Sequence, residues 1–167
     1  VSESVSLLAQ SRPGWNITFV QLGANSDKRT EGPFTTYARA YEKSAERLAM
    51  YYQAADVYVH TTNADTFPTT VLESMACGTP VLGTNIGGIP EQIEDGYNGI
   101  LISHKDPKSI AVQLEDLLDN PAKRVQLSAN AQTRINDEFN VNLMATRYID
   151  WYSTAMDNHN IAVSAKL

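Results

Sequence analysis

The sequence predicts an α/β fold: a mostly parallel sheet with flanking helices, closed by a helical tail. Three observations carry that expectation. Short β-branched and aromatic runs alternate with stretches of helical spacing, glycine or proline punctuates the junctions, and the chain from about residue 106 to residue 167 reads as helix throughout. Alternating strand and helix implies βαβ units, and such sheets take ligands at the carboxyl ends of their strands.

The first strand is the apolar run NITFVQLG, closed by Gly23. The polar stretch GANSDKRTEGP, residues 23–33, reads as a loop, and Lys28 and Arg29 within it have no motif context. TTYARAY supplies a second strand, and residues 44–55 place Leu48, Tyr51, Tyr52 and Ala55 at helical spacing. DVYVHTT, PVLGT and GILIS complete a set of five strands. Between them, residues 70–77 form a helix ending at Gly78, and residues 90–95 form another ending at Gly96. Asp106 before Pro107, and Asn120 before Pro121, are the start signals of two further helices. The last helical stretch, residues 142–156, carries Leu143, Met144, Tyr148, Ile149, Trp151 and Tyr152. That is more apolar surface than the terminal helix of a small domain needs, so it is expected to pack on something further.

Composition narrows the function. At 167 residues and 43% hydrophobic content, the chain is long enough for one domain with its own core. Its net charge of −6 provides no electrostatic surface for nucleic acid or anionic lipid, so a phosphate site must rely on local groups. Cys77, the single cysteine, excludes an internal disulfide and a cysteine-built zinc site and suits a reducing, cytoplasmic setting. On its Ala/Met-rich helix it reads as a small buried thiol without chemistry. No apolar run approaches the length of a membrane span, no basic-then-apolar leader is present, and the opening VSESVSLLAQ reads as a piece of something longer. His60 ends a strand, whereas His104 and His159 lie in loop or tail sequence, and no two histidines have metal-ligand spacing. Tyr51 and Tyr52 read as core and helix-surface residues, and the sequon Asn16-Ile17-Thr18 as chance.

One stretch is built differently. In DTFPTTVLESMACGTPVLGTNIGGIPE, residues 65–91, a strand leads through a turn into a helix whose N-terminus opens at the carboxyl edge of the sheet. The first turn of a helix has unpaired N–H groups and the positive end of the helix dipole, a receptor for phosphate. Thr69, Thr70 and Val71 are the expected donors, and Pro68, if it takes the first helical position, adds fixed geometry without an N–H. Glu73, one turn further in, is suited to accept hydrogen bonds from a ribose diol, and Asp65, before the turn, from hydroxyls attached to the phosphates. Two acids flanking one phosphate-binding helix start suggest a nucleotide sugar. Gly87 and Gly88 of the next loop let the backbone come close to a ligand before Pro90 starts another helix.

Asp65 to Glu73 resembles the E-x7-E motif of retaining GT-B glycosyltransferases, and LESMACGTPVLGTNIGGIPE resembles the continuation found in glycosyltransferase family 4. Weaker likeness extends upstream through YYQAADVYVHTT and ITFVQLG, and downstream through DGYNGILI and the closing helices. The resemblance implies a Rossmann-like sheet, the C-terminal half of a GT-B fold. It assigns Glu73 to the ribose hydroxyls and Asp65 to the donor sugar, as the catalytic pair of acids. Phe67, Pro68 and Thr69 match the turn against sugar and phosphate, Thr70 and Val71 the diphosphate-binding helix start, and Arg39 and Ala40 the backbone that meets the base.

Four departures stand out. Asp65 is one methylene shorter than the usual glutamate, and Thr66 and Pro68 stand where many relatives have glycine. The family's acceptor domain is absent from this chain, as are the arginine and lysine that neutralise the diphosphate on the segment before the first residue. The resemblance therefore implies the donor-binding half of a hexosyltransferase of the polysaccharide-biosynthesis type, acting on a glycan, lipid or small-molecule acceptor and not competent alone. Its partners are a nucleotide-sugar donor and an N-terminal GT-B domain contacted by the last helix. No nucleic acid, metal or other cofactor is expected, because the donor's own phosphate assists the acceptor hydroxyl and no Asp-x-Asp motif is present. The location expected is cytoplasmic, with the full-length enzyme at the inner membrane face. The competing reading is a non-catalytic module that binds nucleotide sugars or docks a partner. A dinucleotide oxidoreductase is excluded because LGANSD supplies no G-x-G-x-x-G turn. A phosphoacceptor receiver is excluded because Asp56 precedes its strand instead of ending it.

Overall fold

The computed structural model describes residues 2–23, 25–31, 34–103 and 106–164. The chain forms two compact units, Val1–Gln132 and Thr133–Leu167. In the first, the order is α1 (Ser2–Ser11), β1 (Ile17–Leu22), β2 (Asp27–Glu31), β3 (Phe34–Arg39), α2 (Ala45–Ala54), β4 (Tyr58–His60), α3 (Thr69–Ala76), β5 (Val81–Thr84), α4 (Ile89–Gln92), β6 (Ile100–Ile102) and α5 (Pro107–Asp119). Helix α6 (Pro121–Glu138) crosses the boundary, and α7 (Val141–Ser164) lies wholly in the second unit.

The fold class is the expected one, with differences in detail. The described strands form two three-stranded sheets, β1-β3-β2 and β4-β5-β6. β1 and β3 run parallel, as do β4, β5 and β6, while β2 pairs antiparallel with β3. β2 corrects the reading of residues 23–33 as a loop: Asp27, Lys28, Arg29 and Thr30 pair with Ala38, Tyr37, Thr36 and Thr35, so Lys28 and Arg29 sit on an edge strand. Its polar sequence is tolerated because an edge strand faces water and is commonly charged. Ala24, Gly32 and Pro33 of that stretch, and His104, lie outside the described residues.

The helix signals at the start positions are confirmed in atomic terms. The Asp106 carboxylate accepts the Ser109 N–H at 3.0 Å and Asn120 Oδ1 accepts that of Lys123 at 3.1 Å. Ser44 Oγ caps α2 by accepting from Arg47 N. The helix expected over residues 90–95 is a single turn, α4, because the chain leaves it at Ile93 in extended geometry. Helix α1 has no counterpart among the elements the sequence predicts. It supplies Val5, Leu8 and Ala9 to a buried cluster with Phe34, Leu82, Ile100, Ile102, Leu114, Leu117 and Leu127, residues drawn from both sheets and from α5 and α6.

Two features fix the position of α3. Val71, Ser74 and Met75 form its buried stripe at the spacing of one helix face. Thr79, just after it, donates from Oγ1 to the Tyr52 carbonyl at 2.6 Å and accepts at its own carbonyl from Ser74 Oγ at 3.1 Å, tying α2, α3 and the entry to β5 together.

The second unit consists of the end of α6 and α7. Asn140 Oδ1 accepts from Leu143 N at 2.9 Å at the head of α7, and Met144, Tyr148, Ile149, Trp151, Tyr152 and Met156 are all exposed. No described helix is long and apolar enough to cross a membrane.

Candidate functional site

The parallel strands β4 and β5 deliver two loops to one edge: His60 leads to the 61–68 turn and α3, Thr84 to the 85–88 turn and α4. The loops are clasped backbone to backbone. Gly88 N–H donates to the Asp65 carbonyl at 3.1 Å, and Thr62 N–H donates to Thr84 Oγ1 at 3.3 Å. The approach is so close that a β-carbon on Gly87 would overlap the Asp65 carbonyl oxygen, and one on Gly88 that of Thr66. Gly87 also has φ +57°, a conformation glycine adopts without penalty. These glycines thus let the 85–88 turn lie directly against the 65–66 turn, which sets the shape of the edge.

Pro68 occupies the N-cap position with φ −66° and ψ 118°, one residue before the first helical turn. The physical reason is its carbonyl, which closes that turn by accepting from Val71 N at 3.3 Å. The Val71 N–H is therefore engaged inside the helix. The Thr69 and Thr70 N–H groups, the first two of α3, have no acceptor among the described residues. Buried Gln92 pins the same carbonyl from below, its Nε2 donating to Pro68 O at 3.1 Å. No sequence signal marked Gln92; only the fold brings α4 under the start of α3.

The two acids are each held. Glu73 Oε2 accepts from Tyr52 Oη at 3.2 Å. Tyr52 is buried and stands edge-on to Tyr58 with ring centroids 5.3 Å apart. Burial pushes the Tyr52 hydroxyl far above its usual range, with the nearby Tyr58 and Glu73 adding to the shift, so it donates and does not ionise. Asp65 Oδ1 accepts from Phe67 N at 3.2 Å, while its Oδ2 lies 3.7 Å from His60 Nε2. Phe67 itself is exposed. Burial lowers the His60 pKa against the pull of Asp65. Cys77, at the C-cap of α3, has its thiol pKa raised by burial, the opposite of an activated nucleophile.

Asp65, Phe67, Pro68, Thr69, Thr70, Glu73, Gly87 and Gly88 therefore share one edge. Arg39 ends β3 in the other sheet and Ala40 follows it; both are exposed, with the Arg39 guanidinium over the Tyr37 ring at 5.1 Å. Among the described residues, Arg39 makes no hydrogen bond or ion pair with the Asp65–Glu73 segment.

A parallel α/β sheet with two helix starts clasped at its carboxyl edge is the architecture of a Rossmann-like domain, here the C-terminal half of a GT-B fold. Solved structures share that fold. Sucrose-phosphate synthase from Thermosynechococcus elongatus superposes with TM-score 0.73 at 24% identity, covering 93% of this chain and 42% of that one. Anabaena HepE in complex with UDP-glucose superposes with TM-score 0.69 at 16% identity, covering 92% and 53%. The chain belongs to the family described as glycosyl transferases group 1, whose model matches residues 40–134. Among curated relatives, D-inositol 3-phosphate glycosyltransferase of Thermobispora bispora is 36% identical over 110 residues, 66% of this chain and 26% of its own length. That of Pseudarthrobacter chlorophenolicus is 34% identical over 166 residues, 94% and 39%. The chain thus spans well under half of the length of these relatives.

Proposed function

We propose that this chain is the donor-binding half of a retaining, family 4 hexosyltransferase, which moves a hexose from a nucleoside diphosphate sugar to a hydroxyl of a glycan, lipid or small-molecule acceptor. The observation that carries this reading is the start of α3: two unpaired N–H groups, with one carboxylate on the turn before them and another one turn later. Such a terminus favours a diphosphate without bulk positive charge, as a chain of net charge −6 requires. In this reading the Thr69 and Thr70 N–H groups take the phosphates, Glu73 the ribose diol and Asp65 the hexose hydroxyls. Val71 contributes position only. Phe67 and the Gly87–Gly88 turn flank the sugar, and the backbone at Arg39 and Ala40 meets the base.

The relatives support the transferase class by name, and HepE, of like fold, is described in complex with UDP and with UDP-glucose. UDP is therefore the first nucleotide to test. Retention follows if the donor phosphate receives the acceptor proton on the face it leaves, a route that asks for no protein nucleophile and no metal. The acceptor domain is proposed to lie N-terminal to this chain and to cover the exposed face of α7, in an enzyme of the cytoplasmic side of the membrane.

The test is calorimetric titration of the full-length protein with UDP, GDP, ADP and their hexose conjugates, followed by NMR of the product anomer. One nucleotide series binding, with the hexose adding affinity and the anomer retained, is the expected result. Inversion of the anomer defeats the retaining assignment. Nucleotide-sugar binding with no transfer to any acceptor favours the second reading, a binding module that uses α7 to dock.

A further inference from the structure

Among the described residues His60 is the one histidine at the candidate site, and its two nitrogens are unequally served. Nδ1 lies 3.0 Å from Tyr58 Oη and 3.5 Å from Thr70 Oγ1. Nε2 is buried, has no hydrogen-bond partner, and faces Asp65 Oδ2 from 3.7 Å, just beyond hydrogen-bond length. With the Tyr58 hydroxyl donating to Nδ1, the neutral ring carries its proton on Nε2, aimed at that carboxylate. A buried N–H without an acceptor is costly, so this pair has a standing drive to close. Asp65 gives it a reason to matter. Its short side chain is fixed on one oxygen by the Phe67 N–H, and the direction of the other oxygen is set by nothing but His60 among the described contacts.

We propose that His60 is a positioning residue that fixes the second oxygen of Asp65 through its Nε2–H and so sets how strongly the site holds the hexose of the donor. The inference rests on the donor-site reading above and specifies which residue makes an aspartate serve at that position. Tyr58 and Thr70 complete the device by seating Nδ1 against hydroxyls of β4 and α3 that can donate to it when Nε2 carries the proton, which ties the carboxylate's orientation to the strand and helix as well as to the loop. Each oxygen keeps a lone pair for a sugar hydroxyl.

The test compares UDP with UDP-glucose on the full-length protein carrying His60→Leu, His60→Gln, Asp65→Asn and the His60→Leu/Asp65→Asn pair. His60→Leu keeps the buried volume and removes the donor; His60→Gln places an amide N–H near the position of Nε2. The expected result is a five- to tenfold loss of UDP-glucose affinity in His60→Leu against less than twofold for UDP. Partial recovery in His60→Gln and a double mutant no weaker than Asp65→Asn complete the pattern. Equal losses for both ligands, or additive effects of the two substitutions, overturn the inference while leaving the donor site standing. A wild-type protein that binds neither ligand overturns the donor-site reading itself. In that case the pairing alone is decided by imidazole 15N shifts, which are expected to show the Nε2–H tautomer and to move in Asp65→Asn, and no response refutes it.

Discussion

The two sheets of this molecule end in glycines that do opposite work. Gly23, after β1, has φ +84° and open space where a side chain would go. Gly87 and Gly88, after β5, stand where a single added carbon meets the backbone of the 65–66 turn. The strands leading to them differ in the same way: all four residues of β5 are buried, whereas β1 alternates and exposes Thr18, Val20 and Gln21. The β4–β5–β6 edge is a tightly built platform, and the β1–β3–β2 edge is a solvated flank. A site that must hold two carboxylates and a helix start in register belongs on the first.

Gly88→Ala is the most forceful way to break that contrast. Backbone against backbone cannot relax, so a loss of about 3 kcal/mol or more, with the 65–68 turn displaced, is expected in urea unfolding. Gly23→Ala, which meets only the left-handed backbone penalty, is expected to cost about 1–2 kcal/mol. Equal costs would mean the clasp is not rigid. Leu82→Ala, at the centre of β5 and fully buried, is expected to cost about 2–5 kcal/mol, against roughly 0.5 kcal/mol or less for Val20→Ala on β1, which is 41% exposed.

A pH titration sharpens the same difference. Burial lowers the pKa of His60 in the folded state, so the unfolded chain binds its proton more readily. The stability contributed by keeping the ring neutral is full above about pH 6.5 and is lost as pH falls from there through the lower folded value. The groups facing the ring are Asp65 on the turn, Tyr58 on β4 and Thr70 on α3. His60→Leu is expected to flatten this part of the stability profile, measured by denaturant midpoint from pH 7.5 to 5. The smallest effect belongs to the flank: Arg29→Ala on β2 breaks an exposed pair with Asp27 and is expected to change stability by about 0.5 kcal/mol or less.

What the sequence disclosed follows the same division. Where strands are buried and helices begin at caps or glycine-bounded turns, as from Val81 to Asn120, hydrophobic runs and start signals located the elements within a residue or two, save the end of α4, which falls three residues before the expected one. β2 was illegible because DKRTE has no apolar period; only its pairing with β3 makes it a strand. Helix α1, SESVSLLAQS, is serine-rich and a poor helix by propensity, and it exists through the burial of Val5, Leu8 and Ala9. At the candidate site, Asp65 and Glu73 were readable from their placement around a helix start. Their partners were not: Tyr52 lies 21 residues from Glu73, and Gln92 lies 24 residues from Pro68. Such contacts are created by α2 and α4 packing on α3. The sequence left the position of Pro68 open, because the proline start signal does not reveal which carbonyl closes the first turn.

The account turns on Glu73, held by Tyr52 one turn inside the helix that is proposed to take the diphosphate. The decisive measurement is the dissociation constant of UDP for the full-length protein and its Glu73→Ala variant, with folding of both verified by thermal melt. Loss of a charged hydrogen-bond acceptor to the ribose predicts a weakening of about tenfold or more at unchanged fold. A folded wild-type protein that binds no nucleoside diphosphate, or a variant that binds as tightly as wild type, would contradict it.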